Sequence, residues 1–175
     1  LYYPTKQTQD GRMSLINIIL EEIRAGRVSA YSPLDTNMPT TYGEIETQMG
    51  AGTKIESIQL NAEGATRDST IVVAAKPEEV KQLLIYEEWF FDKKHSKLDV
   101  RIIGIEPFWM GYDQEIGRAL RKPLFWIKFD DIRDALAQHE VFLANNDAQR
   151  LTFDDLFMQR RFGSVIFGES NVYDD

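Results

Sequence analysis

Cysteine is absent from this 175-residue chain, which removes disulfides, thiolate metal sites and cysteine nucleophiles together. Histidine occurs only twice, at His95 and His139. The two lie far apart, and neither has a ligand-like partner two or four residues on, so neither points to a metal centre. No apolar run approaches the roughly 20 residues that a membrane-spanning helix requires, and the best stretch, 15–20, is interrupted by Asn17. Positive charge is also in short supply, with 20 Lys and Arg against 28 Asp and Glu and a formal net charge of -8. Nucleic acid is therefore a poor partner, because phosphate contacts need a basic face. The sequence opens at Leu1 with neither a methionine nor a signal-like segment, which reads as a processed or trimmed piece of something longer.

What remains describes a globular domain. A 43% share of hydrophobic residues against 27% charged separates the chain from disordered sequences, and its length suits one core rather than two. The densest apolar content lies in 86–107, where two aromatic and β-branched segments flank the basic stretch 93–97. Alternation puts Trp89 and Phe91 on one face and Phe90 and Asp92 on the other. In the second arm Val100 and Ile102 oppose Arg101 and Ile103. This predicts a central β-hairpin with apolar arms in the core and a solvated tip carrying Lys93, Lys94 and Lys97.

Before the hairpin, Leu15, Ile16, Ile19, Leu20 and Ile23 recur at helical spacing between Ser14, a natural N-cap, and Gly26, a natural terminator. A short strand is expected over 28–31. The stretch 32–69 turns to Thr, Asn, Gly and Pro and reads as a long loop excursion suited to being an arm towards a partner. A buried strand is expected over 70–75. Pro77 with Glu78 and Glu79 opens a predicted helix carrying Val80, Leu83 and Leu84. After the hairpin come Phe108 and Trp109, then a basic loop with Arg118, Arg121 and Lys122, a strand over 124–129 and a helix capped by Asp130 that carries Ile132, Ala135, Leu136 and His139. Thr152 with Asp155 has capping-box spacing for a last helix bearing Phe153, Leu156 and Phe157. The fold class expected is α+β: a single domain over 1–175, with a small, mainly antiparallel sheet around the central hairpin, packed by about four helices.

No catalytic set assembles from these residues. The pairs Asp130-Asp131 and Asp154-Asp155 sit at predicted helix starts, where capping and the helix dipole account for them. Gly50 to Lys54 lacks the spacing and the flanking strand and helix of a phosphate-binding loop, and Gly168-Glu-Ser170 is not a nucleophile elbow. Catalytic, metal and cofactor-binding residues are accordingly none. The residues suited to contact are Phe108 and Trp109, which concentrate apolar area after a proline, and Arg160 and Arg161 beside Phe162. With Lys93, Lys94, Lys97, Arg118 and Arg121 they make up the candidate partner-binding set.

Several of these motifs carry a resemblance. The runs Trp89-Phe-Phe-Asp-Lys93, Asp99-Val-Arg-Ile-Ile-Gly-Ile105 with Pro107, Leu124-Phe-Trp-Ile127, Asn146-Asp-Ala-Gln-Arg150, Phe153-Asp-Asp-Leu-Phe157 with Arg160 to Phe162, and Glu169 to Asp174 occur in order across the last half of the chain. Together they resemble the GldN/PorN family, its PorN branch in particular, of the type IX secretion and gliding motility machinery of Bacteroidetes. Residues 15–31 fit the early helix of that family, while 32–69 and 108–122 fall outside the resemblance. It implies a periplasmic protein with no enzymatic activity and no cofactor, associated with the outer membrane through a GldK/PorK-like lipoprotein. Also implied are ring assembly with neighbouring copies and contact with the periplasmic part of a GldM/PorM-like protein. A competing reading, a cell-wall glycan-binding module, uses Trp89, Trp109 and Trp126 as an exposed stacking row.

Overall fold

The computed structural model describes residues 13–59, 66–113, 117–141 and 150–170. Among these residues, four α-helices and a set of antiparallel sheets make the architecture α+β. The first helix, α1 (Leu15–Arg24), begins where Ser14 takes extended backbone and its hydroxyl accepts the Asn17 N–H at 3.4 Å. It ends at Gly26 in the left-handed region, φ 70°, with the Gly26 and Arg27 N–H groups donating back to Ile23 and Glu22 carbonyls. That Schellman geometry explains why glycine stands there. The apolar face of α1 is fully committed: Leu15, Ile16, Ile18, Ile19, Leu20 and Ile23 are all buried.

The stretch 32–69, expected to be a loop, carries structure instead. β1 (Ala30–Tyr31) pairs with β2 (Pro39–Thr40), and α2 (Tyr42–Gln48) follows with a complete capping box between Thr41 and Glu44. Ile45 and Met49, one turn apart, anchor α2 in the core. β3 (Gly52–Gln59) and β4 (Thr66–Val73) then form a separate two-stranded ribbon. The strand expected over 70–75 is thus real but not buried, with Val72 almost wholly exposed. The helix expected from Pro77 stops after one 3-10 turn (Pro77–Glu79). Val80, Leu83 and Leu84 instead belong to β5 (Val80–Asp92), because pairing to the next strand outweighs their helix-compatible spacing.

β5 and β6 (Lys97–Asp113) form the long central hairpin. β7 (Arg118–Pro123) continues the sheet on the far side of β6, so Arg118, Arg121 and Lys122 lie on a strand rather than in the expected loop. β8 (Ile127–Lys128) pairs with β6 at Gly104 and Ile105. The strand expected over 124–129 is reduced to this pair, since Leu124 and Phe125 are buried in irregular chain and α3 (Phe129–Gln138) already starts at Phe129. Its N-cap is Lys128, without a side-chain cap, so Asp130 occupies the first turn rather than the cap. Short β9 (Glu140–Val141) and β10 (Leu151–Thr152) pair before α4 (Phe153–Met158), whose Thr152–Asp155 capping box is complete. α3 and α4 are tied by Arg133, which donates to Asp154 at 2.9 and 3.1 Å.

One core joins the helices, the hairpin and the short strands around them. α1, α3 and α4 supply Ile19, Ile132, Leu136, Phe153 and Phe157, and the hairpin supplies Ile102, Ile105 and Trp109. Two glycines of β6 allow aromatic rings to lie on the strand. A Cβ at Gly104 would collide with the Trp126 ring, and one at Gly111 with the Trp109 ring.

Candidate interaction surface

A β-bulge divides the hairpin into two parts. Tyr86 pairs with Gly104 and Glu87 with Ile102, so Ile103 has no cross-strand partner and the faces are reset at that point. This is why Ile102 turns into the core and Ile103 out of it. Beyond the bulge, cross-strand partners share a face: Glu87 with Ile102, Trp89 with Val100, Phe91 with Leu98. Burial fades along this stripe towards the tip. Ile102 is buried and Val100 partly so, while Trp89, Phe91 and Leu98 are 57%, 59% and 62% exposed. Phe90 on the opposite face is exposed as well. The expectation that both arms would be core is therefore corrected. The stripe extends past the helices that cover its root, and the far end is left open.

The tip itself is ordered by Asp92. Its carboxylate accepts the N–H groups of Lys94 and His95 at 2.9 and 3.2 Å and sits 2.6 Å from the His95 ring. The His95 hydrogen bond, with these backbone donors, holds the Asp92 carboxyl below its ordinary pKa. Lys93 and Lys94 are exposed and make no ion pair among the described residues, whereas Lys97 is tied to Asp99 at 2.8 Å. Of the three lysines singled out in the sequence, two are thus available.

Arg160 belongs to the same surface but is already engaged. Its guanidinium donates to Glu87 at 2.6 and 3.3 Å and lies over the rings of Trp89 and Phe162 at 5.7 and 5.6 Å. It also ends α4 in a left-handed conformation, φ 52°, where α1 uses Gly26 and α2 uses Gly50. A non-glycine residue there costs about 1–3 kcal/mol. The side chain offsets that strain by linking the chain after α4 to the exposed hairpin end. Arg161 is exposed, and its N–H closes the same turn on Leu156.

The other candidates lie elsewhere. Phe108 is half-buried under the Arg121 guanidinium, 4.2 Å from its ring centre, and Trp109 is buried with Lys122 5.2 Å away. Arg118 is exposed on β7 without an ion pair among the described residues. Phe108, Trp109, Arg118 and Arg121 sit around the root of the sheet, away from the tip, so the nine residues do not form one patch. Nor do the tryptophans form an exposed row: Trp126 is packed between Tyr31 and Tyr86, and only Trp89 is open. The sequence set omitted the apolar triad of Trp89, Phe91 and Leu98. Its signal was the aromatic alternation itself, which says which residues share a face but not whether anything covers that face.

Glu106 is the one acidic side chain buried among the described residues, and Tyr86 donates its hydroxyl to it at 2.5 Å. Burial, helped by that carboxylate, pushes the Tyr86 phenol up to about 12. The pair sits within the sheet and serves the fold. No group of three or more His, Asp or Glu side chains among the described residues could hold a metal ion, and no helix among them is long and apolar enough to cross a membrane.

Among the described residues, these features define a protein whose distinguishing surface is an open, apolar hairpin end. The chain belongs to the GldN family, the gliding motility associated protein GldN, whose family model matches residues 1–175. Membership associates it with gliding motility and type IX secretion. No curated protein matches the chain.

Proposed function

We propose that this chain is a non-catalytic structural subunit of the type IX secretion and gliding machinery. In this reading it resides in the periplasm and is held at the outer membrane by a GldK/PorK-like lipoprotein. Neighbouring copies complete a ring, and a GldM/PorM-like protein is a further partner. The observation that carries the reading is the exposed triad of Trp89, Phe91 and Leu98 beside Lys93 and Lys94, in a chain of the GldN family. Fully covering such side chains is worth about 1.5–3 kcal/mol each, whereas an exposed ion pair is worth at most about 1 kcal/mol. The apolar triad therefore outweighs the lysines as the source of affinity, and the lysines set orientation. Co-expression with the lipoprotein followed by size-exclusion chromatography tests this. A large co-eluting assembly, lost when Trp89, Phe91 and Leu98 are replaced by Ser, supports the reading. Separate small peaks for the unmodified proteins overturn it.

A further inference from the structure

The open hairpin end has a counterpart in the same chain. Residues 163–170 form neither helix nor strand, and within them Val165, Ile166 and Phe167 are 91%, 89% and 71% exposed. Their residue types favour strands. Phe167 has one modest partner, the Arg121 guanidinium 5.5 Å from its ring. Arg121 lies opposite Met110 at the root of the sheet, so the segment is led away from the tip of its own hairpin.

β5 meanwhile forms one edge of the sheet, and its outer side pairs with no strand among the described residues. Long apolar edges of this kind are templates for an added strand. The patterns match. Beyond the bulge β5 is apolar on both faces, Trp89 and Phe91 on one and Phe90 on the other; the segment would likewise set Val165 and Phe167 against Ile166. Charge chooses the direction. Glu169 follows the segment as Lys93 and Lys94 follow β5, so a parallel alignment brings opposite charges together, while the antiparallel one brings Glu169 towards Glu87 and Glu88.

We propose that residues 164–168 of one copy add as a parallel strand to the outer edge of β5, over residues 88–92, in a second copy. This rests on the reading of the chain as an assembly subunit and names the two surfaces by which its copies join. Donor segment and acceptor edge are different parts of the molecule, so the contact is head-to-tail and repeats from copy to copy.

The absence of cysteine makes the test direct. Ile166→Cys and Phe90→Cys chains are mixed and oxidised, with Asp35→Cys, an exposed site outside both segments, replacing Phe90→Cys as the control. The expected result is a mixed disulfide-linked dimer well above the control. Its yield falls about tenfold with Glu169→Lys on the donor and recovers when the acceptor also carries Lys93→Glu and Lys94→Glu. A yield equal to the control, or no recovery on charge exchange, overturns the proposal. So does an Ile166→Cys/Phe90→Cys double variant that links only within one chain. Co-elution of the unmodified chain with the lipoprotein, measured separately, tells failure of this contact from failure of the assembly reading.

Discussion

The two ends of the β5/β6 hairpin are built from the same kinds of residue and have opposite fates. At the root, where β6 packs against α3 and β8, Ile105 and Trp109 disappear from solvent, and Val80 is buried opposite Trp109. Past the bulge at Tyr86 and Glu87, Trp89, Phe90, Phe91 and Leu98 carry as much apolar surface and keep much of it exposed. The difference is in what stands opposite them, since the strands run on after the helical layer has ended. Residue type and alternation thus decide which side chains face together, and the reach of a neighbouring element decides whether that face is core or contact surface. A contiguous exposed aromatic patch of this kind is the basis of the contact role proposed above.

The comparison can be broken most forcefully at the root. Ile105→Ala should cost about 2–5 kcal/mol of stability, because the side chain is fully buried, whereas Leu98→Ala at the far end should stay within about 0.5 kcal/mol of the parent. Urea denaturation of both variants checks this, and equal losses would erase the distinction between the two ends. Gly104→Ala comes next. A Cβ there meets the Trp126 ring, which is held between Tyr31 and Tyr86, so about 1–3 kcal/mol should be lost through overpacking, with a change in near-ultraviolet circular dichroism from the displaced indole.

Tyr86→Phe probes the bulge itself, and should cost about 1–3 kcal/mol by leaving buried Glu106 without its hydroxyl donor. Because the folded phenol is raised from the ordinary 10.0 to about 12, its contribution is complete below pH 10 and is lost as pH rises through about 12. The parent should therefore show an alkaline decline in melting temperature that the Phe variant lacks. The smallest expected effect is at α4. Thr152→Ala removes a cap worth about 1 kcal/mol. The hydrogen bonds from Thr152 hold the Asp155 carboxyl below its ordinary range, and those from Thr41, led by its N–H, do the same for Glu44. These depressed carboxyls stabilise the fold above the ordinary carboxylate range, and that contribution is lost as the pH falls through their folded values. Acid melting of the Thr152→Ala variant should be correspondingly flatter.

Local chemistry was the most legible part of the sequence. Ser14 brackets α1 through its hydroxyl and Gly26 through its tolerance of positive φ, Thr152 and Asp155 close their capping box, and the hairpin turns where the lysines said it would. Four helices were expected and four are described, yet they are not the same four. α2 carried its signal in Thr41 and Glu44, but with only Ile45 and Met49 as anchors its periodicity was too short to stand out. Residues 80–84 carry a helical spacing, and long-range pairing with β6 overrides it. The candidate site was half legible: the tip lysines and Arg160 could be picked out by type, but the exposure of the aromatic triad depends on which elements reach that end of the hairpin. The engagement of Arg160 by Glu87 joins residues far apart in the chain, which no local pattern encodes.

The central claim is that the far end of the hairpin exists for contact and contributes little to the fold. The most direct test measures folding and assembly on one variant, with Trp89, Phe91 and Leu98 all changed to Ser. Its melting temperature should stay within a few degrees of the parent, while its co-elution with the GldK/PorK-like lipoprotein proposed as its partner is lost. A variant that unfolds, or one that folds and still assembles, would contradict the claim.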